Sequence, residues 1–80
     1  MRLDKYLKVS RVIKRRTVAN DACDAGKVMV NGKVARASYD VKIGDTVEIQ
    51  MGAKQLKFEV LSVTETVKKE QASDMYKILN

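Results

Sequence analysis

A run of cations, Lys14-Arg15-Arg16, stands directly before a segment that is typical of a short capped helix. Thr17 is a good N-cap because its hydroxyl oxygen accepts a backbone N–H of the first turn, and Gly26 suits the left-handed position after a helix. The N-terminal end of a helix carries partial positive charge, so each cation there opposes folding by roughly 0.3–1 kcal/mol. Helix N–H groups with nearby Lys and Arg bind phosphate, and the arrangement therefore predicts an anion site.

The positive charge is concentrated in one part of the chain. The 80 residues hold 16 Lys and Arg against 10 Asp and Glu, for a net charge of +6. Residues 1–36 have ten cations and three acids, a net of +7, whereas residues 37–80 have six cations and seven acids, a net of −1. An evenly solvated surface would not divide its charge in this way. The asymmetry favours a polyanion-binding N-terminal part on an ordinary support.

A first helix is predicted over residues 2–9, with Leu3 and Leu7 on its apolar face. Asp4 in the first turn suits the helix dipole, whereas Arg2 opposes it. Arg2 is therefore interpreted as serving a purpose other than helix stability, with a solvated residue at a frayed helix end as the alternative. The connecting residues 10–16 carry four cations, and a solvated basic turn is the alternative to phosphate contact there.

After the second helix the periodicity changes from helical to extended. Short strands are predicted at 27–30 and 33–35 around an Asn31-Gly32 turn, and alternating strands at 46–51 and 55–63. Two helices followed by a small antiparallel sheet make an α+β domain. The side chains expected to face the core are Val47, Ile49, Met51, Leu56, Phe58 and Val60.

The end of the chain is predicted to form a short helix over 66–76, where Val67, Gln71 and Met75 have helical spacing. Met75 and Tyr76 are expected to dock on the sheet, and contact with a partner or a base is the alternative for both.

Enzymatic chemistry has little support in the composition. There is no His and a single Cys, and neither a Gly-rich phosphate loop nor a metal-ligand cluster is present. Val18, Ala19, Ala22 and Cys23 are predicted on one apolar helix face, so Cys23 is expected to pack as a small hydrophobe. One Cys fits a reducing cytoplasm, and no apolar run approaches the length of a membrane span. We expect one non-catalytic domain over 1–80, without cofactor or metal.

Three segments in order, RLDKYLKVSRVIKRRT, DAGKVMVNGKVARAS and VKIGDTVEI, resemble the RNA-binding domain named after ribosomal protein S-four, also called the αL motif. The resemblance covers residues 1 to about 50, with 51–80 as supporting strands and tail. It implies an α+β fold in which two N-terminal helices pack on a small antiparallel sheet, followed by a short helical tail. The two helices and the turn into the sheet would form the RNA-binding face, which reads structured RNA by shape and backbone.

In length the chain is similar to the stand-alone RqcP (YabO) family of bacterial ribosome-associated quality control. Heat-shock members of proteobacteria are longer and have a basic C-terminal extension. The resemblance implies binding to large ribosomal subunits that carry peptidyl-tRNA, through rRNA and the P-site tRNA. It also implies support of alanine tailing of stalled chains with RqcH, in the cytoplasm, by a protein that is a monomer off the ribosome. Another small RNA binder of the same type, acting in ribosome assembly or in subunit recycling, is the alternative.

The resemblance gives most weight to Arg2, Asp4 and Arg16. A carboxylate would repel phosphate, so Asp4 is interpreted as a positioning residue that caps the first helix or pairs with Arg11 or Arg16. The residues predicted to bind RNA are Arg2, Lys5, Lys8, Arg11, Lys14, Arg15, Arg16 and Thr17.

Overall fold

Two helices at the start of the chain precede a five-stranded antiparallel sheet, which confirms the predicted α+β class. The computed structural model describes residues 1–65 and 68–79. The helices are α1 (Leu3–Val9) and α2 (Arg16–Asp24), and a 3-10 helix spans Lys69–Met75. The strands are β1 (Val28–Val30), β2 (Lys33–Val34), β3 (Thr46–Met51), β4 (Lys54–Val60) and β5 (Tyr76–Ile78), arranged in the order β2-β1-β3-β4-β5.

The register of the sheet places apolar side chains of neighbouring strands opposite one another. Val47 pairs with Phe58, and Val28 and Leu56 flank Ile49 on either side. All of these are buried except Leu56, which is half-buried. Cross-strand pairs of this kind are the unit of sheet stabilisation. These side chains belong to the same hydrophobic core as the buried residues of the two helices.

Aromatic rings join α1 to the end of the chain. The Tyr6 ring stacks on Phe58 with centroids 6.4 Å apart, and Phe58 packs against Tyr76 at 5.3 Å. The buried Tyr6 hydroxyl donates a hydrogen bond of 2.8 Å to the carbonyl oxygen of Met75. Met75 is itself buried, which confirms its predicted docking.

The short helix predicted over 66–76 is present in part, as a 3-10 helix at Lys69–Met75. Tyr76 does not continue it but belongs to β5, which pairs with β4 through Val60↔Tyr76. Thr66 and Val67, where the helix was predicted to begin, lie outside the described residues. The open edge of β4 offers ladder hydrogen bonds that a continued helix would forgo, and these favour the strand.

Two apolar positions are exposed although the periodicity predicts burial. Val18 on α2 is 50% exposed and Met51 at the end of β3 is 48% exposed. Met51 lies at the exposed end of β3, and Val18 lies off the line of Ala19 and Cys23, the residues of α2 that face the core. Val12 and Ile13, in contrast, are half-buried and buried, and the cations around them are exposed.

The loop after β2 fixes the start of α1. The backbone N–H of Leu3 donates to the carbonyl of Tyr39 at 2.8 Å, and that of Asp4 donates to Ala37 at 3.2 Å. Arg2 and Asp40 form an isolated antiparallel bridge. The first turn of α1 is therefore held against residues 37–40, and the side chains at positions 2 and 4 project from a fixed base. In the described part of the chain no helix has the length and apolar character to cross a membrane.

Candidate nucleic-acid interface

A single buried carboxylate lies beneath two arginines. The Asp4 side chain is 3% exposed, whereas the side chains of Arg2 and Arg16 are about half exposed at 52% and 49%. Arg2 donates from Nε to Asp4 Oδ1 at 3.2 Å and from Nη2 to Oδ2 at 3.4 Å. Arg16 donates from Nε to Oδ2 at 3.4 Å. Two positive charges thus share one negative charge, and the cluster keeps a net charge of +1.

Two further donors complete the shell of Asp4. The backbone N–H of Lys5 donates to Oδ1 at 2.8 Å, and Asn20 Nδ2 donates to Oδ2 at 3.3 Å. Burial by itself would raise the pKa of Asp4, but the hydrogen bonds from Asn20, Arg2, the Lys5 backbone and Arg16 together outweigh it. The pKa of Asp4 is therefore held below its ordinary value, and the carboxylate is charged at neutral pH.

Helix α2 supplies two of these donors from one face. Arg16 and Asn20 are four residues apart, a spacing that places side chains one above the other on a helix. The two side chains align in this way only if Arg16 is itself part of the helix, and α2 begins at Arg16. The N-cap is Arg15, which has extended backbone and makes no side-chain cap bond.

The predicted N-cap at Thr17 is therefore wrong. Thr17 is the second helical residue, exposed beside the arginine pair. The helix starts earlier because the contacts of Arg16 and Asn20 with Asp4 outweigh a single cap hydrogen bond. The other end follows the prediction, since Gly26 has a φ of +74° and donates its N–H to the Cys23 carbonyl at 3.0 Å.

Arg11 follows α1 in a conformation that side chains rarely adopt. Its φ is +64°, and its N–H donates to the carbonyl of Lys8 at 3.0 Å to close the helix. Glycine is the usual residue at such a position because it has no Cβ to clash. An arginine there costs on the order of 1–2 kcal/mol, which points to a benefit outside folding.

The other cations predicted to bind RNA lie on α1 and on the segment between the two helices. Lys8, Lys14 and Arg15 are exposed, and Lys5 is half-buried with its ammonium 3.6 Å from Glu65. The structure brings Arg2, Asp4 and Arg16 into direct contact; the other predicted residues lie on α1, α2 and the segment between them. Arg11, suggested as a partner of Asp4, is not among its hydrogen-bond donors in residues 1–65 and 68–79.

Asn20 also belongs to the cluster around Asp4, and the sequence did not predict it. Its spacing from Arg16 is a signal that was available in the sequence, but the partner Asp4 lies on a different helix. Among the described residues no cluster of His, Cys, Asp and Glu is suited to a metal ion. Cys23 lies on the buried face of α2, and burial followed by the charges of Asp4 and Asp24 raises the pKa of its thiol to about 11. Its predicted role as a packed small hydrophobe is confirmed.

Comparison with known proteins gives one consistent result. The S4 domain family model matches residues 1–47. The chain is 54% identical over 80 residues to the RQC P-site tRNA stabilizing factor of Streptococcus pneumoniae, covering all of this chain and 91% of that protein. It is 51% identical over 79 residues to the protein of the same name from Bacillus subtilis, covering 99% and 92% of the two chains. The structure of heat shock protein 15 from Vibrio cholerae superposes with a TM-score of 0.91 at 28% identity, over 99% of this chain and 81% of that one.

Proposed function

Because this chain belongs to the S4 domain family and, within it, to the RQC P-site tRNA stabilizing factors, we propose that it binds RNA on the stalled large ribosomal subunit. Its ligands there are rRNA and the peptidyl-tRNA in the P site. It acts in ribosome-associated quality control as a binding factor without catalysis, and it supports alanine tailing of the stalled chain with RqcH.

The observation that carries this proposal is the arginine pair on Asp4. Arg2 uses its Nε and Nη2 atoms to bind the Asp4 carboxylate, and Arg16 uses its Nε atom. A guanidinium has five N–H donors, so outer donors of both arginines are left for phosphate oxygens. The carboxylate fixes the two groups side by side before RNA arrives, which reduces the conformational entropy lost on binding.

The helix start beside the pair adds neutral donors. No side chain caps α2, so the N–H groups of its first turn are open to a phosphate. Lys14 and Arg15 lie immediately before that turn and are exposed. Charge and donors of this kind recognise the backbone of folded RNA by its shape rather than by base sequence.

The test is co-sedimentation with large subunits isolated with peptidyl-tRNA in place, compared with empty large subunits. We expect the wild-type protein to sediment with the first in clear excess over the second. Arg16→Ala should lose about 10- to 100-fold in affinity, as for charge-assisted hydrogen bonds removed from a desolvated contact. Lys54→Ala, at the start of β4, removes the same charge outside the interface and should sediment like wild type. Equal binding to both kinds of subunit would contradict the proposed tRNA contact.

A further inference from the structure

A groove lies on the edge of the sheet, next to the loop that holds the start of α1. This groove, of about 630 Å³, lies between the edge strand β2 and the loop that follows it. This volume is within the range of about 300–1,000 Å³ that is typical of small-molecule sites. Val34, which is 63% exposed, forms part of the wall, with Lys33, Arg36 and Ser38 around it. The groove lining holds two cations and no acid.

Tyr39 lines the same groove and is held in place by its hydroxyl. The hydroxyl donates to Asp45 Oδ2 at 2.9 Å, and Asp45 is in turn fixed by Asn31 Nδ2 at 3.1 Å and by the backbone N–H of Lys42 at 3.0 Å. Tyr6 and Phe58 are buried and Tyr76 is half-buried against Phe58. Tyr39 is also half-buried and packs against the core, and it is the aromatic residue among those that line this groove.

The loop that borders the groove also contacts the helix that carries part of the proposed RNA face. Ala37 and Tyr39 accept the first backbone N–H groups of α1, so the groove loop directly touches the turn that carries Arg2 and Asp4. Unpaired bases of folded RNA are recognised by stacking on aromatic side chains with cations nearby.

We infer that the groove receives an unstacked nucleobase of the same RNA, with Tyr39 and Val34 contacting the base and Lys33 and Arg36 the flanking phosphates. This inference rests on the proposed function. A peptide strand added to the edge of β2 is the competing occupant. The two cations, the lack of acids in the lining and the backbone contact of the groove loop with the first turn of α1 favour RNA.

Two variants at Tyr39 separate stacking from the hydroxyl bond. Tyr39→Phe keeps the ring and loses the bond to Asp45, whereas Tyr39→Leu loses both. We expect Tyr39→Leu to bind large subunits carrying peptidyl-tRNA about 5- to 150-fold more weakly, the effect of removing one stacked base, and Tyr39→Phe to bind close to wild type. Equal losses in both variants would overturn the inference, because the effect would then come from the Asp45 bond. Wild-type binding by Tyr39→Leu would overturn it as well.

A matched pair of surface variants decides the matter independently of Tyr39, including the case where Tyr39→Leu does not fold. Val34→Asp places a negative charge in the groove, and Ile43→Asp places one at a position of similar exposure, 63% against 66%, that does not line the groove. Val34→Asp should weaken subunit binding clearly more than Ile43→Asp. If both variants weaken subunit binding equally, the groove does not bind the base. The proposed function is tested separately by Arg16→Ala. A wild-type protein that fails to bind subunits would remove the function itself.

Photo-crosslinking identifies the occupant. Large subunits whose tRNA and rRNA contain 4-thiouridine should crosslink to the peptide that includes residues 34–39. Crosslinks confined to α1 and α2 would contradict the groove and leave the RNA face in place. A crosslink from a protein component of the complex to β2 would favour the peptide occupant and overturn the inference.

Discussion

Asp4 Oδ2 accepts a hydrogen bond from Arg16 Nε at 3.4 Å, and this contact joins the first turn of α1 to the first turn of α2. The carboxylate is buried and the guanidinium is half exposed. One end of the bond therefore belongs to the folded core and the other to the proposed RNA-binding surface. If that surface binds RNA, changes to either residue should affect both stability and binding.

Replacing Asp4 should weaken RNA binding although it makes the protein more positive. Asp4→Asn removes the charge that holds Arg2 and Arg16, and we expect the free energy of unfolding to fall by about 1–3 kcal/mol. Each arginine then has to be ordered on binding, at about 0.5–1.5 kcal/mol, which is about 2- to 12-fold in affinity. Thermal melting and subunit co-sedimentation measure the two effects.

Asp24→Asn is the matched control for this change. Asp24 is exposed at the end of α2, so the substitution alters net charge by the same amount without touching the cluster. Its stability should be near that of wild type and its RNA affinity unchanged or slightly higher. If Asp4→Asn binds as tightly as Asp24→Asn, Asp4 is not a positioning residue.

Acid should destabilise the protein through Asp4 and Asp45. Burial opposes ionisation of both, but hydrogen bonds to each carboxylate lower the pKa below the ordinary 3.8. The stabilisation is therefore complete above pH 3.8 and is lost as the pH falls through the lower pKa values of the folded state. Melting temperatures of wild type should be level near neutral pH and fall below about pH 4, and Asp4→Asn should fall less steeply. Parallel curves for the two proteins would argue against a charged Asp4.

Arg11 is expected to lower the stability of the fold and to raise the affinity for RNA. Arg11→Gly removes the strain of a φ of +64° and should leave the free energy of unfolding unchanged or raise it by up to about 1 kcal/mol. Arg11→Ala removes the same cation and keeps the strain. We expect both variants to lose RNA affinity equally and Arg11→Gly to melt higher than Arg11→Ala. Unchanged subunit binding by both would show that Arg11 makes no RNA contact.

Much of the fold follows from periodicity and turn chemistry in the sequence. The Asn31-Gly32 turn has φ values of +53° and +83°, which suit the hairpin that this dipeptide predicts. Gly26, two residues after the end of α2, and the alternating side chains of β3 and β4 were predicted from local patterns of the same kind. The fifth strand was missed because β5 is only three residues long and gains its stability from the edge of β4, which no local pattern reveals.

The pairing of Asp4 with Arg16 was one of the alternatives predicted from the sequence and is confirmed, whereas the second contact, from Arg2, was not predicted. Arg2 and Arg16 oppose the dipoles of their own helices, and local reasoning treated them as unhelpful to folding. The structure places the carboxylate of Asp4 between them, a contact that spans twelve positions of the chain on the Arg16 side. Asn20 was missed for the same reason, since its partner lies on the other helix. Long-range pairing of this kind is set by tertiary packing.

The salt dependence of subunit binding tests the central claim most directly, since that claim assigns phosphate contacts to Arg2 and Arg16. With about five phosphates contacted, the slope of log affinity against log salt for wild type should be about −3 to −5. Arg2→Ala and Arg16→Ala should each make the slope shallower by about 1, and Lys54→Ala should leave it unchanged. A wild-type slope near zero, or equal slopes for Arg16→Ala and wild type, would contradict the account.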